Sequence, residues 1–134
     1  PEFKQAQDKL DALSAEWQKE IEKKFTDVEN MYKSYQQEQI LLTKPMKNKR
    51  EEAIMRAEKE AKDLQRKYFA PQGELNLKRQ ELVKPIQDKI YDAVQQLASN
   101  NKYAVIFDSS SDLIMLYSNP NLDKSDKILE ILGY

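Results

Sequence analysis

The sequence contains no cysteine and no histidine. Disulfides are therefore excluded, and so is any metal site built from Cys and His ligands. The missing cysteine suits an oxidising or a reducing space equally, so the redox compartment cannot be read. Only two glycines occur in 134 residues. A compact domain of this length uses glycine at many of its turns, so two imply few turns and long regular elements. No run of 18 apolar residues exists to form a membrane-spanning helix, and no signal-peptide pattern is present. There is no Gly-rich phosphate loop, no G-x-S-x-G and no His- or Cys-based nucleophile. Nothing supports an enzyme, and no cofactor is expected. Charge of one sign is also not in excess: the net charge is −1, which gives no argument for nucleic acid as a partner.

What is present is charge of both signs, at 34% of residues, laid over a sparse apolar pattern. Leu, Ile, Val and Phe number 31 of 134, close to the range of disordered chains. Their spacing decides against disorder. From residue 3 to 42 the apolar positions are Phe3, Ala6, Leu10, Leu13, Trp17, Ile21, Phe25, Val28, Tyr32, Tyr35 and Leu42, with polar Gln39 in one slot. Steps of three and four form the seam of a coiled coil, with a stutter between Trp17 and Phe25. The aromatics Trp17, Phe25, Tyr32 and Tyr35 belong to that seam and are expected in the hairpin core. The pattern resumes at Ile54, Ala57, Ala61, Leu64, Tyr68, Pro71 and Leu75, and continues through Leu82, Ile86, Ile90, Ala93 and Leu97. The spacing predicts helices of roughly 60 and 80 Å at 1.5 Å per residue. Pro71 and Pro85 each remove one intrahelical bond, and "FAPQGEL" is the expected kink. Ala57 and Ala61 make the outer arm thinly stabilised and able to bend or fray.

Between the helices lies "ILLTKPMKNKRE". Thr43 can cap the second helix, with Pro45 in its first turn. So short a link predicts an antiparallel hairpin in which residue i faces about 87 − i, with its turn within 41–46. Trp17 then lies near Ala70. The same stretch carries Lys44, Lys47, Lys49 and Arg50 with no acid from 39 to 50. A cation at a helix N-terminus is mildly unfavourable, so stability does not explain the cluster. It suits an anionic surface, a membrane or an acidic polymer.

The last third holds two β-rich runs, 103–108 and 113–118, joined by Ser-Ser-Ser-Asp turn chemistry. They predict a β-hairpin presenting Val105, Phe107, Ile114 and Leu116. A short helix follows from about Ser125, a plausible N-cap, to Leu132, ending at Gly133. Two strands alone are marginal in water, so this body is expected to associate with other subunits.

In order and spacing these features resemble the OmpH/Skp family of periplasmic chaperones. The similar residues are Pro85-Ile86, Ile90 and Ala93 at the root of the returning helix, Tyr103 opening a run that ends at Asp108, and Leu116-Tyr117. Asp123-Lys124-Ser125 resembles the family's Asp-x-Thr before the last helix, with Ser replacing Thr, and "EFKQA" resembles the opening of its first helix. The family has a β-strand and a secretory signal upstream, so the chain is expected to be a truncated fragment. The resemblance implies an α+β, mostly helical fold: a long antiparallel coiled-coil hairpin (3–98) on a small oligomerising β-body (99–134). It further implies a trimer in the periplasm, with a cavity between its arms that holds unfolded outer-membrane proteins without ATP. The basic tip would then meet anionic lipid, lipopolysaccharide or acidic parts of clients. The alternative reading is a structural coiled-coil scaffold that binds one folded partner.

Overall fold

The first helix, α1 (Glu2–Glu38), is uninterrupted because neither proline nor glycine occurs between Pro1 and Pro45. In a computed structural model that describes residues 1–111 and 116–134, it is followed by α2 (Lys44–Phe69), α3 (Glu74–Asn101) and α4 (Ser125–Leu132). A 3-10 turn at Pro120–Leu122 precedes α4. The chain divides into two units, Pro1–Leu82 and Val83–Tyr134, with α3 contributing to both.

In the first unit α1 packs against α2. The contacts run antiparallel. Trp17 stacks on Tyr68, the Tyr68 hydroxyl donates to Glu20 Oε2 at 2.9 Å, the Tyr35 hydroxyl donates to Glu51, and Arg50 Nη2 donates to Glu38 Oε2 at 2.8 Å. Each pair lies within two residues of the expected register of i against 87 − i. Trp17 meets Tyr68, two residues before the Ala70 that the expected register places opposite it. The outward faces carry i,i+4 pairs such as Lys33–Glu29 and Lys62–Glu58, each worth a few tenths of a kcal/mol.

The seam is thin. Ile21 and Ala61 are buried, and Trp17, Phe25, Val28, Tyr35, Ile54, Ala57 and Leu64 are half-buried. Ala61 is 0% exposed, so the helices approach closely at that level. Beyond Val28 the seam departs from expectation at one position, Tyr32. Met31 turns inward, and Tyr32 stays 51% exposed. The two four-residue steps through Trp17, Ile21 and Phe25 are followed by two three-residue steps, to Val28 and Met31. Four steps over 14 residues restore the 3.5-residue average of a coiled coil. Near its start α1 also buries Ala6 and Leu10.

The turn closes with Gln39 N–H donating to Tyr35 O at 2.8 Å and Leu41 N–H to Glu38 O at 2.8 Å. Thr43 occupies the N-cap position of α2, but its side chain makes no capping bond; its carbonyl accepts from Lys47 N–H at 2.9 Å. At the far end α2 stops where expected. Ala70 precedes a proline and is extended (φ −62°, ψ 159°), because the helical region is disfavoured there. Gly73 N–H then donates to Ala70 O at 2.7 Å, and Gly73 O receives Leu77 N–H at 3.1 Å as α3 begins. Gly73 is required sterically: a Cβ would sit 2.8–2.9 Å from the backbone oxygens of Lys67, Tyr68 and Ala70. Pro85, by contrast, lies inside α3, which continues through it.

In the second unit α3 buries Ala93 and Leu97 and ends on Lys102 in the left-handed conformation (φ 56°). Tyr103 N–H closes that end onto Ala98 O at 3.0 Å, a Schellman-type bond. The small β-body expected over 99–134 is not supported: no strand occurs among the described residues. Residues 103–108 are irregular, and Leu113, Ile114 and Met115 of the second run lie outside the described residues. The reason is physical. Strand composition makes a strand only where a neighbour completes the hydrogen-bond ladder. The turn chemistry after residue 108 does form: Asp108 Oδ1 accepts from Ser110 N–H at 2.9 Å and Ser110 Oγ at 2.7 Å. Those bonds hold the Asp108 carboxyl below its usual range. α4 begins one residue earlier than a Ser125 cap would place it. Lys124 is the N-cap, and Asp123 Oδ1 accepts from Ser125 N–H at 2.9 Å. Gly133 ends α4 in the left-handed conformation (φ 88°).

Candidate interaction sites

The hairpin tip is built by the last turn of α1, residues 39–43 and the first two turns of α2. Lys44 is the first residue of α2. Lys44 and Lys49 are exposed and Lys47 is half-buried, and none of the three forms an ion pair among the described residues. Arg50 differs from the other predicted tip residues. Its guanidinium reaches across the hairpin to Glu38 at 2.8 Å. Glu38 lies in the last turn of α1, where the helix dipole disfavours a carboxylate. The pair offsets that local cost and draws Arg50 into the arm.

One feature of the tip escaped the sequence reading. Ile40 is 88% and Leu41 is 85% exposed. Only Leu42 of this apolar run is half-buried. Neighbouring positions on a helix or tight turn cannot share one seam, so a run of three at the seam's end carries a signal that at least one must face water.

Along the arm two tyrosines tie the helices together. Tyr35 donates to Glu51 and Tyr68 to Glu20; in both the carboxylate holds the phenol proton and raises the hydroxyl above its ordinary pKa. The Trp17 and Tyr68 rings are 4.5 Å apart and 3° from parallel, and the Lys67 ammonium lies 5.4 Å from the Tyr68 ring centre. Tyr32, Met55 and Leu77 are large apolar side chains left exposed on the first unit. Beside the α2–α3 break an open groove is lined by Lys62, Gln65, Arg66, Phe69 and Ala70. Its cations are engaged, Lys62 with Glu58 at 2.6 Å and Arg66 with Asp63 at 3.8 Å.

In the second unit Val105, Phe107 and Leu116 are exposed, as are Tyr117, Leu122 and Leu129. Ile114, assigned with them to association, lies outside the described residues. Among the described residues no group of three His, Cys, Asp or Glu side chains could hold a metal ion. No described helix is long and apolar enough to cross a membrane.

No curated protein matches the sequence. The model of one family, described as Outer membrane protein (OmpH-like), matches residues 1–132. With nearly its whole length covered, from the first helix through α4, the chain belongs to the OmpH-like family.

Proposed function

We propose that this chain is an ATP-independent holdase that keeps unfolded outer-membrane proteins from aggregating in the periplasm. The family supplies the coarse function, a chaperone-type role for outer membrane proteins. The observation that carries the finer reading is the distribution of apolar surface on the arm. Tyr32 on α1, Ile40 and Leu41 in the turn, Met55 on α2 and Leu77 on α3 are exposed singly or in pairs rather than gathered in an enclosed pocket. Scattered weak contacts suit a client that has no fixed shape. An enclosed pocket would suit a small ligand.

In this reading residues 3–98 are the arm and residues 99–134 join subunits, as a trimer, so that the arms surround a cavity for the client. Val105, Phe107 and Leu116 are exposed in the single chain, and association that completes the β ladder covers them together with Ile114. Lys44, Lys47 and Lys49 dock the tip on anionic lipid or lipopolysaccharide. The test is suppression of aggregation of several unrelated unfolded β-barrel proteins without nucleotide. A scaffold for one folded partner leaves such aggregation unchanged.

A further inference from the structure

We infer that the hairpin tip is a lipid-interface anchor: Ile40 and Leu41 enter the headgroup–acyl boundary of an anionic phospholipid bilayer while Lys44, Lys47 and Lys49 engage its phosphates. This rests on the anionic-surface reading of the tip and deepens it from surface docking to shallow insertion.

Three observations carry it. Ile40 and Leu41 are adjacent and 88% and 85% exposed, while Leu42 takes the last seam position. The three lysines follow within eight residues and form no ion pair among the described residues. The nearest carboxylates are engaged inboard, Glu38 by Arg50 and Glu51 by the Tyr35 hydroxyl. From residue 39 to 50 there is no acid to repel an anionic surface.

The combination selects the partner. An acidic polymer would satisfy the lysines and leave both aliphatic side chains in water. An apolar client segment would cover Ile40 and Leu41 and leave the lysines unmatched. An anionic bilayer does both, since aliphatic side chains gain by leaving water and each lysine gains near anionic headgroups.

The chain has no cysteine, so single-site labelling is clean. A polarity-sensitive dye on Gln39→Cys is mixed with vesicles of phosphatidylglycerol and phosphatidylcholine, some carrying a nitroxide on the acyl chain. A second label, on Asp63→Cys, is the arm control. Insertion predicts a blue shift and nitroxide quenching at the tip and neither at residue 63. The pair Ile40→Ser/Leu41→Ser then lowers vesicle partitioning by at least about tenfold, about 1.4 kcal/mol, with residual salt-sensitive binding retained. Co-sedimentation with a tip label that stays aqueous overturns insertion and leaves charge docking standing. No co-sedimentation at low salt overturns both. A tip shift with unfolded polypeptide but not with vesicles overturns the anchor and assigns the aliphatic pair to clients.

Discussion

Trp17 of α1 and Tyr68 of α2 stack in parallel, ring centres 4.5 Å apart, one residue before α2 ends at Phe69. The same tyrosine donates its hydroxyl to Glu20 and carries the Lys67 ammonium near its face. One side chain thus meets α1 through both its face and its edge, and fixes the last turn of α2 beside the break at 70–73.

Trp17→Ala and Tyr68→Ala should each lower stability by about 1–3 kcal/mol as half-buried aromatic area is lost. A double-mutant cycle should return a coupling of about 0.5–1.5 kcal/mol for the stacked pair. Chemical denaturation of the four proteins measures both; additive losses would mean that the rings stabilise independently.

The tyrosine–carboxylate bonds set a pH window. The Tyr35 and Tyr68 hydroxyls are raised by Glu51 and Glu20. A raised folded value means the contribution is fully present below the unfolded tyrosine pKa of about 10. It is lost as pH rises through the higher folded value. Tyr68→Phe should therefore melt below wild type at pH 8, and the gap should close above about pH 10. A gap that stays constant through that range would remove the linkage from the explanation.

How much of this was legible depends on what each residue answers to. The helices, their antiparallel register and the break at Pro71 follow from local rules: apolar spacing, proline geometry and a short link. Between Val28 and Tyr35 the 3/4 spacing admits either Met31 or Tyr32, and helix periodicity after the stutter turns Met31 inward instead of the expected Tyr32. Leu42 takes the seam position that the spacing predicts, and the exposure of Ile40 and Leu41 follows from their place beside it in the turn. Arg50 looked like part of a bare cluster because Glu38 is twelve residues away and becomes its neighbour only once the hairpin closes. The strand expectation for residues 103–108 concerned tertiary partners, which local composition does not supply.

Gly73→Ala should disrupt the α2–α3 break. Its Cβ would meet three backbone oxygens at 2.8–2.9 Å, which no side-chain rotation can relieve. A loss of about 1–3 kcal/mol is expected, with faster amide exchange at Gly73 and Leu77 than in wild type. Unchanged exchange and stability would show that the break relaxes freely.

The four tip cations should separate into two classes. Reversing Lys44, Lys47 and Lys49 to Glu should change stability by no more than about 0.5 kcal/mol. Adding Arg50→Glu should cost up to about 1 kcal/mol more, because the exposed Glu38 pair becomes a repulsion. Binding to anionic vesicles should fall with the three lysines already, and should weaken for wild type as salt shortens the screening length to about 8 Å. Thermal melts and vesicle co-sedimentation read the two effects separately.

The central claim is client holding, and light scattering tests it most directly. Several unrelated outer-membrane β-barrel proteins are diluted from denaturant into buffer without nucleotide, with and without the chain. The holdase reading predicts that scattering is suppressed for all of them in proportion to the chain added. It also predicts that Tyr32→Ser, Met55→Ser and Leu77→Ser together weaken suppression without unfolding the arm, since all three side chains are exposed. Scattering that rises equally with and without the chain, for every client, would contradict the claim and favour a scaffold for a folded partner.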